Sequence, residues 1–350
     1  MSNRKRRSEI KRRRIEHLSV GLRRLDPSFD GDFKCPICLR SFQAVDEDGA
    51  TEAHIVPQAA GGTLSTFLCR DCNSGAGSGI DKWFGEHLHL RRSKKTIIDS
   101  RIKTGRINLD GISLGGRIET GENGGLNVLL YKDRTDPKSW RAVDERIRGG
   151  GPKVLDIEFP LLGKSRDVNL GALQAAYLSF FKGFGYVPVL QRSFDIVRSQ
   201  LLEPEKNLLG AQFIARTSED LGYSIGVAEI DRNICLFASF FDLVVFLPPY
   251  GEINFYEQLP EDFKLSAVKL HPLRSKAQPK EGVPTALFVG NKTLLWPDYV
   301  PGLAGDILVA YLEEPSSEVQ LMQTISKQDY DKLALEEGCE SVKINIVPSD

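Results

Sequence analysis

Two Cys-x-x-Cys pairs stand out first, "CPIC" at 35–38 and "CRDC" at 69–72. Cys35, Cys38, Cys69 and Cys72 can supply four thiolates, the full shell of a tetrahedral zinc. The two-residue gap lets each pair grip one ion from a tight turn. The competing reading is four buried apolar cysteines, and a repeated Cys-x-x-Cys is the more specific signal. Thirty residues separate the pairs, longer than a simple zinc ribbon needs, so the loop between them is expected to carry a structure of its own.

That loop contains "TEAHIVPQAAGGTLSTFLCRDCNS". The stretch "EAHIVP" predicts a strand presenting His54, and "QAAGG" turns the chain back. An imidazole titrates near ~6.5, which suits a general base that activates water. Glu52 lies two residues earlier and so projects to the same side of a strand. A helix is expected to start near Asn73 and run through "GIDKWFGEHLHL". At its start the Asn73 side chain can cap the helix or coordinate a hard divalent cation. Asp81, eight residues on, would then fall on nearly the same face. Glu52, His54, Asn73 and Asp81 are thereby candidate neighbours around a second, catalytic metal. Each also has a plain structural reading: a strand histidine, an N-cap, a solvent carboxylate. His87 and His89 fall on different sides of the helix and read as structural, while Cys235 and Cys339 stand alone and read as core residues.

The elements that must hold these residues follow from charge and periodicity. Net charge is −1 over 350 residues. Residues 1–24 hold ten Lys or Arg and two Glu, hence +8, which leaves −9 for the rest. Ile15, Leu18, Leu22 and Leu25 recur at helical spacing, with basic residues on the other faces, so a basic amphipathic helix is expected there. Such an arm suggests a polyanionic partner. Arg4, Lys5, Arg6, Arg7, Lys11, Arg12, Arg13 and Arg14, together with Arg91, Arg92, Lys94 and Lys95 of "RRSKK", are the candidate nucleic-acid contacts. The alternative is a solvated basic tail.

Beyond residue 96, "RINLDGISLGGRIE", "GLNVLLYKD" and "KVLDIEFPLL" read as short strands, and "VNLGALQAAYLSFFKGFG" and "SFDIVRSQLLEPE" as helices. "AQFIART", "YSIGVAEI", "ICLFASFFDLVVFLPP", "TALFVG" and "DILVAYL" return to strands, and "KQDYDKLALEEG" reads as a late helix. The fold class is therefore α+β: a small zinc-stapled domain followed by a larger mixed α/β region whose topology is not readable from periodicity. The expected organisation is a basic helical arm at 1–32, a zinc-knuckle domain at 33–95, and an α+β region at 96–350, a candidate sensor or target-selection domain. No apolar run is long enough to span a bilayer, and the start lacks the apolar core of a signal peptide. Two Cys-x-x-Cys pairs in a reducing compartment favour metal over disulfide. A cytoplasmic protein is expected.

The combined pattern "CPIC…EAHIVPQAAGG…LCRDCNSGAGSGID" resembles the HNH endonuclease superfamily, in its subgroup with a Cys-pair zinc knuckle. The resemblance covers about 60 of the 350 residues. It implies a ββα-metal nuclease in which a hairpin and a helix grip one divalent ion, Mg²⁺ or Mn²⁺, while a structural Zn²⁺ holds the ends. It implies His54 as general base and Asn73 at the last position of the signature. It further implies a metal-dependent endonuclease hydrolysing phosphodiester bonds in DNA. "AAYLSFFKGFGY" resembles a stretch associated with proteins that carry this subgroup at their N-terminus, an architecture that suits a bacterial defence or restriction-like effector. Two positions depart from the pattern. Ala53 stands where the family has an acid before the first histidine, so either Glu52 substitutes for it or the ion is held by Asn73, Asp81 and substrate phosphate. The middle Asn falls near Thr63, Leu64 or Ser65. The alternative function is a non-catalytic zinc-containing nucleic-acid-binding protein, and a third is a scaffold that the knuckle only staples.

Overall fold

A computed structural model describes residues 3–43, 49–92, 105–120, 126–132, 135–149, 155–158, 165–210, 213–217, 219–231, 233–259, 268–273, 285–289, 292–297, 306–311 and 320–326. The expected late helix at 327–338 and Cys339 lie outside them.

Helix α1 spans Asn3–Leu25. It buries Ile15, Leu22 and Leu25, the face foreseen from spacing, and leaves Lys11, Arg12 and Arg13 exposed. Two hairpins follow: β1 (Phe33–Lys34) with β2 (Ser41–Phe42), and β3 (Ala50–His54) with β4 (Ser65–Cys69). The helix expected from Asn73 onward is two helices. α2 covers Arg70–Ser78 and α3 covers Ile80–Arg92, broken at Gly79. "GAGSG" explains the break, since each glycine inside a helix costs about 1 kcal/mol relative to alanine.

The contacts divide into two compact units, residues 89–165 and the remainder. The former is a four-stranded antiparallel sheet of order β7-β6-β5-β8. Its strands are β5 (Gly105–Leu109), β6 (Ile112–Thr120), β7 (Leu126–Leu130) and β8 (Leu155–Glu158). Helix α4 (Pro137–Arg148) carries Val143 into a small core with Ile107, Leu109 and Leu114. The sequence reading did not find α4, although its signals were present: the Asp136 carboxylate caps the Lys138 and Ser139 amides, and Pro137 follows at the first helical position.

The other unit is built around α5 (Ser165–Phe184), which buries residues on every side and is followed by α6 (Tyr186–Val189) and α7 (Asp195–Leu202). A five-stranded antiparallel sheet of order β13-β10-β11-β12-β9 packs into the same core. It comprises β9 (Ile214–Arg216), β10 (Tyr223–Ile230), β11 (Asn233–Phe240), β12 (Leu243–Leu247) and β13 (Val268–Pro272). The run "ICLFASFFDLVVFLPP", read as strand, is the β11–β12 hairpin turning at Phe241–Asp242. A second sheet of order β15-β14-β16-β17 follows, from β14 (Thr285–Val289), β15 (Lys292–Leu295), β16 (Asp306–Tyr311) and β17 (Gln320–Ser326), with β14 and β16 parallel.

One apolar core joins the zinc-knuckle segment to this later region. Phe84 of α3 meets Phe240 edge-on at 5.4 Å between ring centroids, and Cys235 lies in the same core. His87 of α3 sets its Nε2 3.0 Å from the buried Asp242 carboxylate, in keeping with its structural reading. Helices α3 and α5 touch at Gly171, where an added Cβ would stand 2.5 Å from Phe84 Cβ and 2.8 Å from the Ile80 carbonyl oxygen. Alanine would gain about 1 kcal/mol of helix propensity, but overpacking costs about 1–3 kcal/mol, and neither obstructing atom is the free end of a side chain. Gly171→Ala is therefore expected to lower Tm in a thermal melt; an unchanged or higher Tm would show slack between the two helices.

Candidate metal and nuclease site

The first Cys pair sits in a turn closed at both ends. The Cys35 amide donates to the Arg40 carbonyl and the Leu39 amide to the Cys35 carbonyl, each at 2.9 Å. Leu39 takes the left-handed conformation at φ 57° that this tight return requires. Cys69 ends β4 and Cys72 lies in the first turn of α2, so the second pair straddles a strand-to-helix junction. The four sulfurs lie within 4.8 Å of one another, and Cys38 Sγ is 3.7 Å from Cys69 Sγ. Tetrahedral zinc with Zn–S of about 2.3 Å sets S···S edges of about 3.8 Å. The donor set therefore fits a zinc knuckle.

The sulfurs also compete for protons. Hydrogen bonds from Cys35 pull the Cys38 and Cys69 thiols down, Cys69 to about 6, against the opposing effect of burial. Hydrogen bonding to Cys38 pushes the Cys35 thiol up in turn, and Cys72 is raised as well, so protons are shared among the four sulfurs and a metal would displace them. Arg40 completes the arrangement, a residue that sequence reasoning passed over although it lies two positions beyond Cys38. Its Nε donates to Cys38 Sγ at 3.4 Å, and its Nη2 donates to Cys69 Sγ at 3.7 Å and to the Asp71 carboxylate at 2.5 Å. A tetrathiolate zinc carries a net −2 charge, which this guanidinium partly offsets.

The β3–β4 hairpin rises from the knuckle. His54, the last residue of β3, pairs with Ser65, the first of β4. The turn between them runs through Pro57, a 3₁₀ turn at Gln58–Ala60, and Gly61 at φ 79°. Gly62 must lack a side chain, because a Cβ there would stand 1.9 Å from the Val56 carbonyl oxygen. His54 is half-buried, and among the described residues no hydrogen bond occupies its ring. Thr63 and Leu64 are exposed, while the Ser65 hydroxyl is engaged.

Asn73 is the fourth residue of α2, past the capping position. Its amide nitrogen donates to Thr51 Oγ1 and to the Glu52 carbonyl, both at 3.1 Å. Thr51 in turn donates to the Leu68 carbonyl at 2.9 Å. Helix, strand and partner strand are thus stitched together beside His54, leaving the Asn73 carbonyl oxygen as the atom that can take a cation. The Glu52 carboxylate accepts from the Ser65 hydroxyl at 2.5 Å and from Arg14 at 3.2 Å. These bonds, Ser65 first, hold it below its ordinary range, with a smaller contribution from His54. Glu52 and His54 stand two residues apart on β3, on one side of the strand.

Asp81 is placed differently from the spacing argument, because the break at Gly79 sets it on a separate helix. Its carboxylate accepts from Gln174 Nε2 of α5 at 3.2 Å, and burial pushes it up to about 6. Among the described residues the four cysteines form the one group of three or more His, Cys, Asp or Glu able to close on an ion, so Glu52, His54 and Asp81 do not gather as a preformed cage.

The basic residues of α1 divide by partner. Arg12 and Arg13 pair with Glu9, at 3.1 and 3.0 Å. Arg6 and Lys11 are exposed. Arg14 turns inward, towards Glu52 and Ser65. Arg4, Lys5 and Arg7 belong to α1, and Arg91 and Arg92 to α3; their side chains, with Lys94 and Lys95, lie outside the described residues.

Two measurements check this picture. Arg40→Ala is expected to keep the fold but to weaken zinc retention by about 10- to 100-fold, read as faster transfer to a chromogenic chelator. An unchanged rate would show that Arg40 does not support the knuckle. For Asp81, folding raises the carboxyl's pKa above its unfolded value near ~3.9, so the ionised form destabilises the native state above pH 6. That penalty disappears as pH falls from 6 towards 4. Asp81→Asn is thus expected to raise Tm at pH 8 and to lose that advantage by pH 4, with equal gains at both pH values counting against burial as the cause.

Comparison with known proteins places a name beside this geometry. Residues 35–89 match the family model described as HNH endonuclease. Neither the comparison with curated proteins nor that with solved structures found a match. No helix among the described residues is long and apolar enough to cross a membrane.

Proposed function

From the premise that residues 35–89 are an HNH endonuclease domain, we propose that this chain hydrolyses phosphodiester bonds in DNA with His54 as general base. The observation that carries the reading is the state of His54. It stands at the end of a strand anchored on three sides, half-buried, with a ring free of hydrogen bonds among the described residues and beside the Glu52 carboxylate. A base that must accept a proton from water needs a rigid mount and an open nitrogen, and His54 has both.

In the reaction the imidazole takes a proton from a water whose oxygen bonds to phosphorus. The P–O bond to the leaving oxygen breaks, that oxygen is protonated from solvent, and a phosphomonoester and an alcohol result. Glu52 orients the imidazole edge electrostatically, and Asn73 keeps β3 on α2. A hard divalent cation, Mg²⁺ or Mn²⁺, supplies charge neutralisation at the leaving oxygen. Glu52 and the Asn73 carbonyl oxygen are its candidate holders. Water and substrate phosphate would complete a shell of the kind such ions accept with only one or two protein groups. Asp81 could join only after leaving Gln174.

Exposed bases of α1, Arg6 and Lys11 foremost, with the Arg91–Lys95 cluster, would neutralise flanking phosphates. The divisions at 1–32, 33–95 and 96–350 would correspond to backbone contact, cleavage and target selection, in a cytoplasmic defence or restriction-like effector.

Ala53 favours a second reading, a zinc-stapled nucleic-acid binder that does not cut. It is buried at 3% exposure, in the position where the family has an acid. One experiment separates the two. His54→Ala is expected to lower cleavage of plasmid DNA by on the order of 10²- to 10⁴-fold, with zinc content and DNA affinity retained. If the wild type binds DNA but cuts neither DNA nor RNA with Mg²⁺ or Mn²⁺, the binder reading replaces this one.

A further inference from the structure

We infer that Arg14 of α1 is a positioning residue of the nuclease site, fixing the end of the hairpin that presents His54. The inference rests on the His54 reading above. A phosphate-binding arginine on a basic helix projects into solvent. Arg14 does not, because only 26% of its side chain is exposed. One terminal nitrogen donates to the Ser65 carbonyl at 2.7 Å. The other donates to the Glu52 carboxylate at 3.2 Å and to the Ser65 hydroxyl at 3.4 Å. The guanidinium carbon lies 4.7 Å from the centroid of the Phe67 ring, and Phe67 pairs with Glu52 across the hairpin.

All these partners belong to the last residues of β3 and the first of β4, and Ser65 is the residue directly opposite His54. One more cross-strand bond, from the Ile55 amide to the Leu64 carbonyl at 3.0 Å, follows before the chain leaves into the turn. A strand end held by so few bonds is prone to fray, and a frayed His54 could not hold a water in line. The guanidinium adds charge-assisted bonds to this end in a planar fork that a lysine cannot reproduce. It also holds the carboxylate of Glu52, two residues before His54 on the same strand. The anchor is firm because the next residue, Ile15, is buried in the main core with Leu22 and Leu25 of the same helix. On this account α1 belongs to the nuclease centre itself as well as to the phosphate-binding surface.

The test compares wild type with Arg14→Ala and Arg14→Lys. Arg14→Ala should lower kcat by on the order of 10- to 100-fold, as expected for a small misplacement of a reacting group, with KM and the salt dependence of DNA binding little changed. Arg14→Lys should fall between, and added methylguanidinium should restore part of the Arg14→Ala rate. Amide exchange across 50–69 should accelerate about tenfold in Arg14→Ala, the effect of losing one charged hydrogen bond, while exchange across 33–42 stays as in wild type. The proposal is overturned if kcat is unchanged while KM rises and the salt slope becomes shallower, the signature of a phosphate contact. It is equally overturned if kcat rises at low Mn²⁺, which would mean that Arg14 only competes with the cation for Glu52. If the wild type proves unable to cut, amide exchange alone decides the positioning role, and unaltered exchange across 50–69 refutes it.

Discussion

The zinc knuckle is held in place by two buried tyrosines from a distant part of the chain. The Tyr177 hydroxyl of α5 donates to the Pro36 carbonyl at 2.6 Å. The Tyr186 hydroxyl of α6 donates to the Lys34 carbonyl and accepts from the Lys34 amide. The peptide groups on either side of Cys35 are therefore satisfied by residues about 140 to 150 positions later in the chain. Both rings are buried, so each hydroxyl must find a partner or cost its desolvation, about 1–3 kcal/mol. The knuckle turn, whose own carbonyls face inward, is that partner. Burial pushes both phenols well above their ordinary range, and they remain donors at any physiological pH.

This arrangement sets the character of the segment at 35–89, which matches the HNH endonuclease model. A ββα unit of this size has little core of its own, and its thiolates would usually carry its stability. Here α3 is covered by α5 at Gly171 and by the end of β11 at Phe240, and one apolar core runs through all of them. The segment is thus a surface of a larger body rather than a detachable module. These contacts of α3 are polar as well as apolar, since Gln174 of α5 meets Asp81 and Asp242 of the β11–β12 turn meets His87 in places largely withdrawn from water. Such pairs are weak sources of stability, but they fix one geometry, because a shifted helix would leave a buried charge unmet.

Rigidity at the knuckle is passed to the hairpin by a short chain of polar groups. Cys69 ends the strand that pairs with β3, Cys72 begins the helix that carries Asn73, and Asn73 reaches back to Thr51 and the Glu52 carbonyl. From the opposite side Arg14 closes the free end of the same hairpin. His54 is bracketed between them, which makes one histidine with an open ring chemically interpretable. The same geometry explains why no carboxylates form a preformed cage among the described residues. Glu52 already has Arg14 and Ser65, and Asp81 has Gln174.

The sequence by itself determined what depends on residue type and short spacing. The paired Cys-x-x-Cys stated a four-thiolate site, the period of Ile15, Leu18, Leu22 and Leu25 stated a helix and its buried face, and the Pro and Gly residues after His54 stated a turn. The family match at 35–89 follows from the same local signals. What it left open were pairings across long separations. The spacing of Asn73 and Asp81 assumed one unbroken helix, and the glycines at 75, 77 and 79 made that assumption fail. Arg14 is chemically like the bases around it, and only the packing of α1 distinguishes a guanidinium turned onto Glu52 from one turned to solvent. Tyr177 lies in a helix that is apolar on all sides and Tyr186 just beyond its end, and no local pattern shows that their hydroxyls reach the knuckle. Local chemistry is written in adjacent residues, because helices and turns are stabilised by bonds a few positions apart. The partner of a buried hydroxyl or guanidinium is chosen by which surfaces the whole core brings together.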